Sequence, residues 1–328
     1  MQFWDDAERE HCPGFCGKIV LNSSGPFDEY SDCQPCPWGS QVDIKSKCNE
    51  CDSNMQGYDF AFIIFHALAP LLINILFIKS YSIKQKKQKI PRIWVFLQFL
   101  SAAFEAVLSL IFTLLIYKPI GSLHVYTCQN NFLYEWYPML FNPLVNYTHI
   151  MRCTSEVVYP RYSLPFANLA FNLLNLIVLR SIVYAIAYAK SPIKIPSEPY
   201  YAVLWTLPIL AIAHAAFSGI IYYIFPYITL FTSLALNAFH FAYEGRKNIK
   251  QIFRLIFKDP DHILMLLIHM MLFGFAIFSL YLSTTWQSYN PGYKSYAVVA
   301  GLLPLPSIFY ILTIKLTVPP RNSTRAIR

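Results

Sequence analysis

The stretch CQPCPWGSQVDIKSKCNEC, residues 33–51, contains two C-x2-C pairs that are separated by eleven residues. Such pairs either bind zinc through four thiolates or form disulfides in an oxidising compartment. Zinc ribbons usually separate their pairs by about 15–20 residues, so this spacing is short for a metal site. The compartment in which the segment lies therefore decides its chemistry, and other parts of the chain have to indicate that compartment.

Charged residues inside apolar stretches are the second candidate for chemistry. Glu105 lies in SAAFEAVLSL and Arg180 lies in LIVLRSIVY. A charge in the middle of a membrane is costly, so such residues usually pair with each other or face water. Arg180 can also extend toward the cytosolic surface. We expect a polar contact between helices here, and a proton or substrate path that also uses His214 is the alternative.

No arrangement of residues indicates catalysis. The histidines at 66, 214 and 269 lack the spacing of H-E-x-x-H, and no G-x-S-x-G elbow or phosphate-binding loop is present. Asn168, Asn172 and Asn175 share one helical face, which is typical of polar contacts between neighbouring helices. We therefore expect a protein that is not an enzyme and that needs neither a cofactor nor a metal ion.

The composition predicts an all-α, multi-pass membrane protein. Hydrophobic residues make up 55% of the 328 residues and charged residues only 13%, whereas soluble domains have roughly 25% charged residues. A membrane-spanning helix needs about 20 mostly apolar residues. Seven segments qualify, and the fourth and fifth are joined only at Phe225–Pro226, which predicts a hairpin. The predicted transmembrane helices are 58–78, 93–117, 164–188, 201–224, 227–243, 262–282 and 296–316.

The distribution of charge predicts the orientation. Loops 79–92, 189–200 and 244–261 and the tail 317–328 contain sixteen Lys and Arg residues, whereas 1–57, 118–163 and 283–295 contain eight. Positively charged loops stay in the cytosol, so the N-terminus is expected outside the cytosol and the C-terminus inside it. The net charge of +8 is then a feature of membrane topology rather than of nucleic-acid binding. The predicted domains are a Cys-rich head (1–57), a seven-helix domain (58–316) and a cytosolic tail (317–328).

The cysteines support this topology, because all eight fall in the segments predicted to lie outside the cytosol. This placement favours disulfides over zinc. Cys128 and Cys153 share the loop 118–163 and are expected to pair, whereas the connectivity of the head stays open. The sequons at Asn22 and Asn146 lie on the same side, where they can be glycosylated. The disulfide candidates are Cys12, Cys16, Cys33, Cys36, Cys48, Cys51, Cys128 and Cys153.

The segment 244–261, EGRKNIKQIFRLIFKDPD, combines an apolar stripe with a basic stripe at helical spacing. Such an amphipathic helix is suited to an anionic membrane surface, which makes membrane lipids an expected partner. A docking site for a cytosolic partner is the alternative, since a basic pair followed by alternating apolar residues resembles a kinase-docking pattern. The docking candidates are Arg246, Lys247, Lys250, Phe253, Arg254 and Leu255.

Several motifs together resemble one known family. The predicted outside loop reads WYPMLFNPLVNYTHIMRCTSEVVYPRYS, the head contains CGK and CPWG, and the later motifs are YYIFPYI and LPLPSIFYILTIKLTVP. In this order they are similar to the Jun N-terminal kinase-associated membrane protein family (JAMP). The resemblance implies a seven-span scaffold of the endoplasmic reticulum that acts in the degradation of misfolded proteins and in the unfolded-protein response. It also implies three kinds of partner, which are ubiquitin ligases, proteasome subunits and a stress-activated kinase.

Two other functions are compatible with the predicted topology. A seven-span receptor would have the same orientation, although the short connection between the fourth and fifth helices argues against it. A transporter or lipid-handling protein would use Glu105, Arg180 and His214 in a polar path.

Overall fold

A computed structural model describes the helical regions of the chain and most of the Cys-rich head. The chain divides into two compact units, Met1–Tyr222 and Tyr223–Arg328. The described residues are 11–12, 14–22, 29–84, 92–128, 132–137, 153, 158, 161–190, 197–244, 260–285 and 301–317.

The head is built from short strands, so the expectation of an all-α chain was wrong for this region. Its strands are two or three residues long and form antiparallel pairs, in which β1 pairs with β4, β2 with β3, β5 with β6, and β7 with β8. Strands this short bury little apolar surface, and covalent links replace a hydrophobic core. The strands are Cys16–Gly17 (β1), Val20–Asn22 (β2), Glu29–Tyr30 (β3), Gln34–Pro35 (β4), Ser40–Val42 (β5), Cys48–Glu50 (β6), Ser53–Asn54 (β7) and Tyr126–Thr127 (β8).

The last strand pair joins the head to the connection after the second helix. Ser53 lies opposite Thr127 in the β7–β8 pair, and the backbone N–H of Met55 donates to the carbonyl of Val125 at 3.0 Å. Met55 and Val125 then pack in one buried apolar cluster with Ile63, Leu114 and Leu164. The base of the head is therefore continuous with the ends of three helices.

Helices account for most of the described chain. The helices are Gly57–Lys84 (α1), Arg92–Ile116 (α2), Leu164–Lys190 (α3), Glu198–Glu244 (α4), Pro260–Thr285 (α5) and Leu305–Thr317 (α6). Five of them, α1 to α5, are long and apolar enough to cross a membrane, within the part of the chain that the structure describes. The first, second, third and sixth predicted segments each correspond to one of these helices. The structure thus supports a multi-pass membrane protein, with five candidate spans among the described residues where seven were predicted.

The predicted hairpin at Phe225–Pro226 was wrong. Residues 225 and 226 are helical, and α4 continues through them from Glu198 to Glu244. Pro226 has no N–H to donate to the carbonyl four residues earlier. That carbonyl, on Tyr222, instead accepts the phenol of Tyr58 at 2.9 Å. The departure from helical geometry lies at Phe217, where φ is −122° and ψ is 17°.

The seventh predicted span corresponds only in part to a described helix. Residues 305–317 form α6, which has 13 residues and is shorter than the about 20 residues that a crossing needs. Predicted residues 296–300 of that span lie outside the described ranges.

In the first unit, α2 packs against both α1 and α3. A buried apolar cluster of Leu169, Leu176, Val203 and Leu207 joins α3 to the first half of α4. Large apolar side chains such as Phe104 and Ile177 remain exposed on the outer faces. Exposed apolar surface on long apolar helices is the surface that lipid chains cover. The helices therefore bury polar residues inward and present apolar residues outward.

Candidate functional site

All eight cysteines are paired in disulfides, which is the alternative that the sequence favoured over zinc. The four disulfides are Cys12–Cys33, Cys16–Cys153, Cys36–Cys48 and Cys51–Cys128. Gly17 shows how closely the sulfurs pack, because a Cβ at this position would lie 2.6 Å from Sγ of Cys48 and 2.7 Å from Sγ of Cys36. Any side chain at Gly17 would displace that disulfide, so the CGK motif requires its glycine.

The predicted Cys128–Cys153 pair was wrong. Cys128 bonds Cys51 and Cys153 bonds Cys16. The physical reason is the β7–β8 pairing, in which Ser53 lies opposite Thr127. This pairing brings Cys128, the residue after β8, close to Cys51, which lies two residues before β7. The expectation treated the loop 118–163 as a separate module, whereas two covalent bonds fasten it to the head.

A buried cluster fixes the base of the head to the helix ends. The guanidinium of Arg161 donates from one NH2 group to the carbonyl of Cys128, and its Nε lies 3.5 Å from Oδ1 of Asp59. The same carboxylate oxygen accepts the phenol of Tyr222 at 2.6 Å. Arg161 and Asp59 are each 1% exposed. Charged groups buried this deeply are stable only when paired and hydrogen-bonded, so this cluster couples the disulfide-linked loop to α1 and α4.

The two charged residues predicted inside helices meet each other. Nε of Arg180 on α3 lies 2.8 Å from Oε1 of Glu105 on α2, and both side chains are fully buried. An NH2 group of Arg180 also donates to Oε2 of Glu105 at 3.3 Å and to Oδ1 of Asn74 at 2.8 Å. The expected polar contact between helices is therefore present, and it joins three helices rather than two.

Hydroxyl groups on α2 form further hydrogen bonds around the Glu105–Arg180 pair. Ser101 donates to Oε1 of Glu105 at 2.7 Å, and Asn175 on α3 donates to Oγ of Ser109 at 3.0 Å. Ser101, Glu105 and Ser109 recur every four residues, so they lie on one face of α2. The carboxylate is thus surrounded by donors and its charge is compensated.

His214 does not join the ion pair. Its Nε2 lies 2.9 Å from the carbonyl of Tyr162, and its ring packs against His66 with centroids 4.7 Å apart. Phe62 contacts both imidazoles and also Trp136. The candidate residues of the transporter alternative therefore lie in two clusters, an imidazole–aromatic cluster and the ion pair.

Sequence reasoning missed several members of these clusters. Asp59 and Arg161 lie at the edges of predicted spans, where charge is common and carries little signal. Asn74 was visible as a polar residue in an apolar run, but its partner was not. Trp136 lies in the 3-10 turn Leu133–Trp136, and its contact with α4 has no local pattern. Their positions next to predicted spans are therefore only a weak signal for Asp59 and Arg161.

Other predicted sites lie outside what the structure describes. Asn22 ends β2, but its side chain is outside the described set, and Asn146 lies in an undescribed range. The same holds for all six docking candidates, Arg246, Lys247, Lys250, Phe253, Arg254 and Leu255. In the described ranges, no group of three or more His, Cys, Asp and Glu side chains could hold a metal ion.

The second unit has its own polar contacts. Oγ of Ser233 lies 2.8 Å from Nδ1 of His269, and Asn237 donates to Oγ of Ser307 at 3.1 Å. Nδ1 of His262 lies 2.9 Å from Nε2 of His240. Each of these contacts joins different helices, which is how polar side chains usually act within membranes.

Comparison with known proteins identifies the family. Residues 12–319 match the family described as JNK1/MAPK8-associated membrane protein. This chain belongs to that family. It is 33% identical to the homolog from Caenorhabditis elegans, over 97% of this chain and 95% of the relative. It is 31% identical to each of the proteins from Mus musculus and Homo sapiens, over 94% of this chain and 93% of either relative. No solved structure matches the chain.

The family match extends over both clusters described above. Its range, residues 12–319, includes every cysteine, the ion pair and the imidazole–aromatic cluster. The mouse and human relatives are named for an association with the kinase JNK1/MAPK8. The chain is thus a member of a membrane protein family, and the JAMP resemblance drawn from the motifs is confirmed.

Proposed function

We propose that the chain is a non-enzymatic scaffold of the endoplasmic reticulum membrane that acts in the degradation of misfolded proteins. In this proposal it associates with ubiquitin ligases, proteasome subunits and a stress-activated kinase, and it contributes to the unfolded-protein response. Membership of the family over residues 12–319 is the observation that carries the proposal. The printed names of the mouse and human relatives support the kinase association in particular.

The pairing of the two charges inside the helices supports the proposal of a scaffold. Glu105 and Arg180 are fully buried and bond to each other, so the two charges compensate each other. A buried pair of this kind is costly to break and fixes how the helices fit together. Binding of large partners is therefore assigned to segments outside the membrane, namely 79–92, 244–261 and the tail 317–328.

The disulfides support the proposed compartment. Four disulfides in one chain are typical of proteins whose cysteines face an oxidising environment such as the lumen of the endoplasmic reticulum. The acidic head is also the easier end of the chain to translocate, because basic residues are retained in the cytosol. We accordingly propose a luminal N-terminus and a cytosolic C-terminus.

The basic segment 244–261 is the proposed docking element. Its cations would attract an acidic surface of the kinase or of the degradation machinery. Arg246 and Lys247 would supply the basic pair, and Phe253 and Leu255 the apolar contacts. Attraction of this kind weakens as the salt concentration rises.

The experiment is affinity isolation of the full chain in a gentle detergent, with mass spectrometry of the recovered proteins. Three variants are compared with the wild type. In the first the Lys and Arg residues of 79–92 are changed to Gln, in the second those of 244–261 are changed to Gln, and the third lacks the tail 317–328. Lys45→Gln serves as the matched control, because Lys45 is an exposed cation of the head. Recovery of ligase, proteasome and kinase that is unchanged by all three edits would contradict the scaffold in this form.

A further inference from the structure

Most of the buried polar side-chain atoms without a hydrogen-bond partner belong to the first unit. Among the described residues, these atoms have no hydrogen-bond partner and less than 1 Å² of exposed surface. We call this set of residues the polar seam. Its unpartnered atoms are Nε2 of His66, Nδ1 of His214, Nε1 of Trp136, Oγ of Ser218, both amide atoms of Asn168, Oδ1 of Asn172 and one terminal nitrogen of Arg180.

One end of the polar seam is the imidazole–aromatic cluster. The rings of His66 and His214 have centroids 4.7 Å apart, and Phe62 packs against both rings and Trp136. Three unpartnered polar atoms, on His66, His214 and Trp136, therefore belong to residues of a single packed cluster. Ser218, which is 1% exposed, lies on α4 four residues after His214.

The hydrogen bond of His214 fixes what its free nitrogen can do. Nε2 lies 2.9 Å from the carbonyl oxygen of Tyr162, and a carbonyl only accepts, so Nε2 carries the proton. In the neutral ring Nδ1 is then an acceptor with a free lone pair. The indole of Trp136 only donates, and the hydroxyl of Ser218 does both. The cluster thus offers a donor and acceptors together.

The polar seam continues along α3 toward the ion pair. The rings of Phe166 and His214 have centroids 4.8 Å apart. Asn168 and Asn172 lie further along α3, one helical turn from each other. The seam ends at Arg180, which is bonded to Glu105. From residue 166 to residue 180 a helix rises about 21 Å. Unpartnered groups therefore occur at several positions along α3, between the imidazole pair and the ion pair.

We propose that the polar seam binds internal water molecules. Buried polar groups in folded proteins are almost always hydrogen-bonded, and internal water supplies the partner where protein does not. A bound water needs about 2–4 polar partners, and mixed donors and acceptors meet that requirement. A metal ion fits less well, because in the described ranges no third ligating group joins the two imidazoles.

The consequence is that water lies inside the first unit at the imidazole–aromatic cluster and along α3. Water in the seam would give Asn168 and Asn172 the partners they lack and would let the helices pack with polar residues at 0–1% exposure. The inference does not rest on the scaffold role, and either can fail without the other.

X-ray radiolytic footprinting of the full chain in nanodiscs, after brief exchange into water enriched in oxygen-18, tests the proposal. Radicals form from bound water and oxidise adjacent side chains, so peptides containing His66, Trp136 and His214 should carry the label. Leu176 is the matched control, since it is fully buried on α3 but lies in an apolar cluster. Because indole and imidazole react with radicals faster than leucine, each rate is divided by the rate of the same residue in the unfolded chain. We expect the normalised labelling of the imidazoles and the indole to be several-fold higher than that of Leu176.

A double variant tests whether the labelling depends on the polar residues of α3. Asn168→Leu with Asn172→Leu replaces two polar members by apolar groups of similar size, and we expect labelling at His66 and His214 to fall several-fold. Wild-type labelling at the imidazoles equal to that of Leu176 would overturn the proposal. Imidazole labelling that does not change in the double variant would overturn it as well, because water at the imidazoles would then not depend on Asn168 and Asn172.

Discussion

Nε of Arg180 lies 2.8 Å from Oε1 of Glu105, and neither side chain is exposed. The two residues are on α3 and α2, and Asn74 of α1 accepts a further bond from the same guanidinium. A buried ion pair is costly to break but contributes little beyond what apolar packing would supply. The pair therefore specifies how three helices fit together, and this relationship leads to the first prediction.

Removal of one member of this pair should destabilise the protein strongly. Arg180→Leu leaves the Glu105 carboxylate buried and unpaired, which costs about 3–5 kcal/mol of unfolding free energy. The double variant Glu105→Leu/Arg180→Met removes both charges and should be more stable than the single variant. Thermal unfolding in detergent measures both, with Lys45→Met as a control for loss of an exposed cation. A single variant as stable as the wild type would contradict the packing role.

The second prediction concerns the disulfides between the head and the loop. Non-reducing peptide mapping should recover Cys16 linked to Cys153 and Cys51 linked to Cys128. The Cys16–Cys153 bond closes a separation of 137 residues. Closing a loop of this size stabilises the folded state by about 5 kcal/mol in the chain-entropy model. Cys51→Ser should leave one free thiol, at Cys128, and the other three disulfides intact. A recovered Cys128–Cys153 peptide would contradict this connectivity.

Sequence patterns predicted the helical membrane core well, and the reason is physical. A spanning helix is encoded locally by a run of apolar residues, so α1, α2, α3 and α5 follow from composition alone. The ion pair could also be predicted from the sequence, because a charge within such a run needs a partner and few candidates exist. In these cases a short stretch of sequence is enough to predict the structure that it forms.

The remaining features depend on contacts between distant segments. The bond between Cys51 and Cys128 depends on the β7–β8 pairing, whose strands are too short to have a pattern of their own. The phenol of Tyr58 satisfies the Tyr222 carbonyl that Pro226 leaves unpaired, so a proline that predicts a turn lies inside a helix. Neither outcome could be read from local sequence, because each requires a partner more than 70 residues away.

The third prediction uses a pair of glycines. A Cβ on Gly219 would lie 2.6 Å from Cβ of Trp136, whereas a Cβ on Gly301 would meet nothing within 4 Å in the described structure. Gly219→Ala should therefore force Trp136 to shift, at about 1–3 kcal/mol of unfolding free energy. Gly301→Ala is the matched control and should be neutral or slightly stabilising. Equal melting temperatures for the two variants would show that Trp136 does not pack against α4 as described.

The fourth prediction tests the proposed orientation. Asn22 and Asn146 should carry glycans that endoglycosidase H removes, as expected for a protein retained in the endoplasmic reticulum, whereas Asn322 should carry none. Asn22→Gln and Asn146→Gln should each remove one glycan, which a mobility shift on a gel detects. Glycosylation of Asn322 would place the tail in the lumen and would contradict the charge-based orientation. Complex glycans resistant to the enzyme would indicate a surface protein and would favour the receptor alternative.

The central claim is that partners bind outside the membrane and that the intramembrane charges serve packing. The most direct measurement compares two variants by quantitative affinity isolation, with partner recovery normalised to the amount of folded chain. One variant has the five basic residues of 244–261 changed to Gln, and the other is Glu105→Leu/Arg180→Met. We predict that recovery of kinase, ligase and proteasome subunits falls several-fold in the first variant and is unchanged in the second. Unchanged recovery in the first variant, or selective loss in the second, would contradict the account.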